Sequence, residues 1–174
     1  MDSFTLSDAY PARSGTETDY RSIHLLLQVG ETRVIAALYH TAENSMVTVM
    51  EYALQAGLPK DTYPEMLTRL FTEEVIFSRP YSAETICLES ADSTLLPSSL
   101  FEDSRKESYL RLVRNLPDGL VVRSDEIISG DIRNVYGVRS AWLRPLQDRF
   151  PSATLLHHIT PLLRGLVLQS RKPD

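Results

Sequence analysis

Two neighbouring histidines, His157 and His158, have the side chains of this sequence that most directly suggest metal binding or proton transfer. They end a predicted strand from Thr154 to His158, and successive side chains of a strand point to opposite faces of its sheet. The two rings therefore cannot readily chelate one ion. No cysteine or third histidine lies near them in the sequence. We interpret one ring as packed near the last helix and the other as exposed.

Acidic side chains are a second candidate, because a two-metal nuclease needs carboxylates on its first strand, first helix and fourth strand. The predicted first strand, Arg21 to Val29, contains no acidic residue. Glu73, Glu74 and Glu89 are interpreted as solvated charges at the ends of a helix and a strand. The pattern excludes such a nuclease and predicts no metal site.

The sequence also lacks the motifs of a catalytic nucleophile and of a glycine-rich phosphate-binding loop. Ser98 and Ser99 lack the Gly-x-Ser-x-Gly turn of a hydrolase. Cys87 lies between Ile86 and Leu88 and is interpreted as a small buried hydrophobic residue. None of the seven glycines belongs to a GxGxxG or GxxxxGK loop. We therefore predict no catalytic residue and no cofactor.

The segment from Arg139 to Arg149 contains three arginines and Trp142, a combination that also occurs in nucleic-acid-binding patches. We interpret it instead as an amphipathic helix with a solvated face. Non-specific nucleic-acid affinity comes mainly from lysines and arginines, and the formal net charge of this chain is −5. The charge disfavours a nucleic-acid partner.

Length and composition predict a single cytoplasmic domain. The chain has 174 residues, of which 43% are hydrophobic, and one cysteine, a composition that suits a reducing compartment. No apolar stretch approaches the roughly 20 residues that span a bilayer. The first residues lack the pattern of a secretory signal. No membrane partner is expected.

Three strand-like segments form the predicted centre of the fold. Apolar residues alternate along the first segment, as in a half-buried strand: Ile23, Leu25, Leu27 and Val29. Gly30 and Glu31 are predicted to make a two-residue turn. Strands from Val34 to Tyr39 and from Met46 to Leu54 complete an antiparallel meander.

Helices and short strands alternate after the meander. Capping boxes at Thr62/Glu65 and Ser104/Glu107 predict two helices. Their predicted buried residues are Tyr63, Met66, Leu67, Leu70, Phe71 and Val75, and then Tyr109, Leu112, Val113 and Leu116. Further strands are predicted at 85–88, 120–123, 132–138 and 154–158, with a helix through Trp142 and Phe150 that starts late or kinks at Pro145. The last helix begins at Thr160 and Pro161, and its predicted buried stripe is Ile159, Leu162, Leu163, Leu166 and Val167.

The resulting order is βββαβ, an insertion, and βαβα, which predicts an α/β fold around a mixed sheet. Residues 1–19 are predicted to be a polar N-terminal tail. Residues 20–170 form one lobe, with an inserted subdomain at about 91–130. Residues 171–174 form a short tail.

A series of motifs carries a family resemblance: Leu-Leu-Pro-x-x-Leu-Phe from Leu95, Asp125-Glu-Ile, Asn134-Val-Tyr-x-Val138, Arg149-Phe-Pro151 and His158-x-Thr-Pro-Leu-Leu163. In this order they resemble an uncharacterised bacterial family of unknown function with an actin-like ATPase fold, related to RNase H. More distantly, the layout is similar to the actin-like pilus-assembly proteins of type IV pilus machines. The resemblance spans Arg21 to Leu168. Because family members continue into a second lobe, it implies that this chain is the first lobe alone.

The resemblance places the first hairpin where actin-like ATPases carry Asp-x-Gly-Ser/Thr. This chain has Gln28-Val-Gly-Glu31 at that position. An amide replaces the carboxylate that holds metal-bound water, and Glu31 repels phosphate where a hydroxyl would approach it. Gly30 is retained. Gln28, Gly30 and Glu31 therefore form a degenerate phosphate loop, and no nucleotide cofactor is expected.

The leading functional hypothesis is a non-catalytic actin-like-fold module for binding or scaffolding. The alternative is a nucleotide-binding ATPase that requires a second lobe, and a nucleic-acid accessory protein is a third hypothesis. The expected partner is a protein or a second copy, bound through the last helix. Its segment from Pro161 to Gln169 has more apolar side chains than one buried stripe needs. Leu168 is predicted to lie near solvent unless another surface covers it. The expected cover is a second copy in a two-fold dimer, or Phe4, Leu6 and Tyr10 of the N-terminal tail.

Overall fold

The computed structural model describes residues 4–10, 19–54, 59–128 and 131–170, and the fold is stated for that part of the chain. The chain divides into two compact units, residues 1–87 with 141–155 and residues 88–140 with 156–174. The predicted positions 1–3 and 11–18 of the N-terminal tail and the tail at 171–174 lie outside the described residues.

The larger sheet has six strands in the order β1-β4-β3-β2-β5-β9. These strands are β1 (Phe4–Tyr10), β2 (Ile23–Val29), β3 (Arg33–His40), β4 (Ser45–Leu54), β5 (Ala83–Leu88) and β9 (Thr154–His157). The first unit contains helix α1 (Tyr63–Glu73) and nearly all of helix α3 (Ser140–Arg149), which includes Pro145 in its interior. The boundary between the two units falls within β5, after Cys87, and within β9, after Leu155. The predicted meander is confirmed, because β3 pairs antiparallel with β2 on one side and with β4 on the other.

The alternation predicted for the first strand is confirmed along β2. Ile23, Leu25 and Val29 have no exposed surface, and Leu27 is 2% exposed. Five of the six apolar residues predicted on the first helix are buried in α1. The prediction for Val75 is wrong, because α1 ends at Glu73 and the chain continues as a 3₁₀ helix, which leaves Val75 60% exposed.

Three phenylalanine rings pack together in the core of the first unit. Phe71 of α1 lies edge-to-face with Phe77, at 5.1 Å between ring centroids, and with Phe150, at 5.2 Å. This edge-to-face arrangement places the positive ring edge against a negative ring face. All three side chains are almost completely buried, so the ends of α1 and α3 are held by one aromatic cluster.

The second unit contains a three-stranded antiparallel sheet in the order β6-β8-β7. Its elements are β6 (Ser93–Pro97), α2 (Lys106–Val113), β7 (Leu120–Ile128), β8 (Ile132–Arg139) and α4 (Ile159–Ser170). The strand predicted at 132–138 exists, but it is the middle strand of this small sheet. The second unit continues to Ser140, beyond the insertion boundary predicted at about 130.

Helix α2 corrects the prediction for the second helix. Leu110 is its only buried side chain among the described residues, while Leu112 is 83% and Val113 is 55% exposed. The helix is short and approaches the sheet over Gly137, where an added Cβ would lie 3.5 Å from Leu110 Cδ2. A helix of eight residues with one such contact leaves the rest of its apolar face outside the core.

Neither predicted capping box forms. The Thr62 hydroxyl donates to the Pro59 carbonyl at 2.7 Å instead of capping α1. Ser104 lies inside a 3₁₀ helix from Asp103 to Arg105, and α2 starts after Arg105 without a side-chain cap. Each helix instead follows directly on a 3₁₀ turn, Lys60–Thr62 before α1 and Asp103–Arg105 before α2.

The N-terminal segment contains a strand that the sequence did not predict. Residues Phe4–Tyr10 pair antiparallel with β4, with Phe4 opposite Leu54 and Tyr10 opposite Val49. Their side chains lack a strong period, and Leu6 is 52% exposed. This strand is held by main-chain hydrogen bonds to the edge of the meander and not by burial of a hydrophobic face.

Candidate functional site

The turn between β2 and β3 contains the residues predicted as a degenerate phosphate loop. Strand pairing ends with Val29 opposite Val34, and the Gly30 amide donates to the Arg33 carbonyl at 3.0 Å. The predicted two-residue turn at Gly30 and Glu31 is therefore wrong, because four residues connect the last paired positions. Gly30 is buried and Glu31 is exposed.

One aromatic side chain of the same unit contacts this turn, and a second packs against the first. The Tyr63 hydroxyl, at the start of α1, donates to the Gly30 carbonyl. The Tyr63 ring lies 5.0 Å from the ring of Trp142 on α3, and these side chains are 7% and 4% exposed. The main chain at the retained glycine is thus bound by α1, and its carbonyl oxygen already accepts a hydrogen bond.

Gln28 lies on the other face of β2 from the core residues, and Leu26 separates it from His24 along that face. It is half-buried and pairs across the sheet with Ile35. His24 Nε2 lies 2.9 Å from Thr85 Oγ1, and burial lowers the pKa of His24. This face of β2 therefore carries neutral polar groups, without the carboxylate that a metal-bound water needs.

The acidic candidates have different surroundings. Glu73 pairs with Arg69 at 3.1 Å on the exposed side of α1. Glu74 accepts a hydrogen bond from the Tyr52 hydroxyl at 3.4 Å, whereas Glu89 belongs to the second unit. Within the described ranges, no three His, Cys, Asp or Glu side chains are grouped so that they could hold a metal ion.

The arginine-rich segment also fails to form one surface. Trp142 is a core residue, and Arg144 pairs with Asp148 at 3.7 Å. The Arg149 guanidinium donates to the Phe77 carbonyl and is half-buried. Two of the three arginines of 139–149 therefore bond within the first unit, and Arg139 belongs to the second.

The paired histidines lie in the second unit, at the end of β9. His157 has no exposed surface, and its Nε2 lies 3.0 Å from the Ser90 carbonyl oxygen. The prediction that the two rings point to opposite faces is wrong: β9 ends at His157, and the His158 ring lies 4.4 Å from the His157 ring. Burial lowers the pKa of His157, and the nearby His158 acts in the same direction, although the Ser90 carbonyl and Asp125 oppose them. His157 is a neutral core residue.

A buried carboxylate that the sequence analysis missed, Asp125 of β7, lies beside these rings. It is 7% exposed and accepts three hydrogen bonds, one at Oδ1 and two at Oδ2. The donors are the Tyr136 hydroxyl at 2.9 Å, the His157 amide at 2.7 Å and the Thr160 hydroxyl at 2.7 Å. The available signal was the polar stretch 123–126 between the apolar ends of the run 120–128. Because Thr160 is in the first turn of α4, this carboxylate fixes the start of that helix on β7.

One side of helix α4 is hydrogen-bonded to β7, and the other side is exposed. Arg164 donates through Nε and Nη2 to the Glu126 carbonyl, at 2.9 and 2.6 Å. Leu162, Leu166 and Leu168 are 66%, 61% and 68% exposed. The predicted burial of Leu162 and Leu166 is therefore wrong, because Thr160 and Arg164 select the opposite face of the helix for contact with the sheet.

Comparison with known proteins agrees with this architecture. Residues 16–174 match the profile of a family described as "Protein of unknown function (DUF3822)". The structure of a Bacteroides thetaiotaomicron protein, described as having an actin-like ATPase fold and unknown function, superposes with a TM-score of 0.78 at 18% identity. The match covers 90% of this chain and 61% of the other. It establishes the actin-like fold that the sequence predicted.

A second solved structure is more distant. The cytoplasmic domain of EpsL, an inner membrane component of the type II secretion system of Vibrio cholerae, has a TM-score of 0.44 at 15% identity. That match covers 78% of this chain and 56% of the other. No curated protein matches the chain. No helix in the described part of the chain has the length and apolar character to cross a membrane.

Proposed function

The chain belongs to the family described as "Protein of unknown function (DUF3822)", and on that premise we propose that it is a non-catalytic, protein-binding module built on an actin-like lobe. The observation that carries this proposal is the hydrogen bond from the Gly30 amide to the Arg33 carbonyl, at 3.0 Å. A phosphate binds to main-chain N–H groups, and at the turn where the resemblance to actin-like ATPases would place a phosphate this N–H already has an acceptor.

Three features of this turn combine against nucleotide binding. Gln28 provides no charge for a metal-bound water, and Glu31 adds a negative charge that repels phosphate. The Gly30 amide, which a phosphate would need as a donor, already donates to the Arg33 carbonyl. A nucleotide would have to break this hydrogen bond, and a buried group that is left unpaired costs about 1–3 kcal/mol.

The alternative is a nucleotide-binding ATPase that uses a second lobe. It is favoured by one observation: the chain spans only 61% of the length of the Bacteroides thetaiotaomicron protein. Under this alternative, residues from elsewhere would supply the metal and phosphate contacts that the first hairpin lacks. The Gly30 amide would still have to leave the Arg33 carbonyl before it could donate to a phosphate.

The proposed binding surface is the outer face of α4. Its three exposed leucines are a larger apolar surface than single scattered residues, and such surfaces mark protein contacts. Asp125 and Arg164 hold the inner side of the helix, so the outer face is presented by a fixed element. The partner class is therefore a protein, either a second copy or another chain.

Trp142 provides a test of the nucleotide part of this proposal. It is the only tryptophan of the chain and lies against Tyr63, whose hydroxyl bonds to Gly30, so its emission reports a rearrangement of Tyr63 at the turn. We expect Trp142 fluorescence to stay constant when Mg-ATP is added. A saturable change that disappears in Gln28→Ala would contradict the proposal and favour the ATPase.

A further inference from the structure

The outer face of α4 has a symmetric arrangement of side chains about Gly165. Leu162 and Leu168 each lie three residues from Gly165, close to the middle of the helix Ile159–Ser170. Positions three residues apart on an α-helix differ by about 60° around its axis. The two leucines therefore flank the glycine as equal ridges on either side of a gap.

The gap at Gly165 is open. A Cβ built on Gly165 would have no atom within 4 Å, so neither the sheet nor α2 fills the space in front of it. The distance between two packed helices depends on the side chains at their crossing point. Gly165 thus permits another helix to approach the α4 backbone closely.

The same face carries no charged side chain. Its members are Pro161, Leu162, Gly165, Leu166, Leu168 and Gln169. The chain as a whole has a formal net charge of −5, which opposes contact between two copies through most surfaces. An uncharged face allows two copies to meet without bringing like charges together, and it offers nothing to a strongly charged partner.

Resting on the proposed binding role of this face, we propose that its occupant is a second copy of the chain. The two α4 helices cross antiparallel at Gly165, with Leu162 of one copy against the partner's Leu168 and the reverse. A two-fold axis generates both contacts from one, which is the isologous arrangement of most homodimers. Because a single helix pair buries little surface, we expect weak, reversible association with a dissociation constant on the order of tens of micromolar.

The direct experiment is sedimentation equilibrium of the full chain at increasing concentration. We expect a monomer–dimer equilibrium that is abolished in Gly165→Glu. This change blocks the crossing point, and because glutamate favours a helix more than glycine does, it preserves α4. Gln147→Glu, on an exposed position of α3, is the matched control and should dimerise normally.

A charge-pairing experiment tests the face itself. The double variants Leu162→Lys/Leu168→Lys and Leu162→Glu/Leu168→Glu should each be monomeric, because like charges oppose each other across the axis. An equimolar mixture should regain dimers, since each lysine then faces a glutamate. Failure of the mixture to associate, or a dimer that persists in every α4 variant, would overturn the proposal.

The outcomes separate this proposal from the proposed function. A wild-type chain that remains monomeric at high micromolar concentration contradicts self-pairing and leaves another protein as the occupant of α4. Nucleotide binding, measured independently, would contradict the non-catalytic role without affecting the result for α4.

Discussion

The ring of Tyr63 lies 5.0 Å from the ring of Trp142, and the Tyr63 hydroxyl bonds to the carbonyl of Gly30. We expect Tyr63→Phe to keep the ring packing and to lower the free energy of unfolding by about 1–3 kcal/mol, because the buried carbonyl loses its donor. Urea denaturation measures this loss. Tyr39→Phe is the control, since Tyr39 bonds to Asn44 at an exposed site, and its loss should be clearly smaller.

The centre of the large sheet depends on β2. Leu27 is 2% exposed, and we expect Leu27→Ala to cost about 2–5 kcal/mol through lost burial and the cavity left behind. Leu26→Ala, on the half-buried opposite face, should cost less. Reversible denaturation with a loss below roughly 0.5 kcal/mol for Leu27→Ala would show that β2 does not organise the core.

Asp125 holds three donors at the start of α4. We expect Asp125→Ala to destabilise the second unit strongly, because each unsatisfied buried donor costs about 1–3 kcal/mol. Hydrogen exchange should then show faster exchange of α4 amides. Thr160→Val, which removes one of the three donors, should have a smaller effect. Equal exchange in Asp125→Ala and the wild type would contradict the anchoring role.

His157 makes the stability dependent on pH. Burial lowers its pKa in the folded chain, so the unfolded chain binds the proton more tightly. The stability is fully present above the unfolded pKa of about 6.5 and falls, by at most about 1.4 kcal/mol per pH unit, as pH decreases toward the folded pKa. Urea midpoints between pH 7.5 and 5 measure this slope. His157→Gln should be less stable at neutral pH and should show a shallower slope; an unchanged slope would exclude His157 as the group responsible.

The parts of the fold that the sequence predicted well are those with a strong period. The alternation at Ile23, Leu25 and Leu27 needs only the two-residue repeat of a half-buried strand, and the stripe of α1 similarly follows from helical spacing. The predictions failed where tertiary contacts choose between faces. The apolar residues of α2 and α4 have helical spacing, but Leu110 and the Thr160–Asp125 contact decide which side is buried.

The site could be predicted only in part. The replacement of charged and hydroxyl groups at Gln28 and Glu31 is visible in the sequence once the hairpin is recognised. The contact between Tyr63 and Gly30 is not, because the two residues are 33 positions apart and a buried tyrosine on α1 has the pattern of any core residue. Asp125 was missed for the same reason: two of its three donors, the His157 amide and the Thr160 hydroxyl, are 32 and 35 positions away.

Isothermal titration calorimetry with Mg-ATP tests the central claim most directly. Because the Gly30 amide already donates to the Arg33 carbonyl and Glu31 opposes a phosphate, we predict no heat of binding for the wild-type chain, and the same result for Gln28→Ala. Micromolar binding by the wild type that weakens in Gln28→Ala would contradict the account and identify the first hairpin as a working nucleotide site.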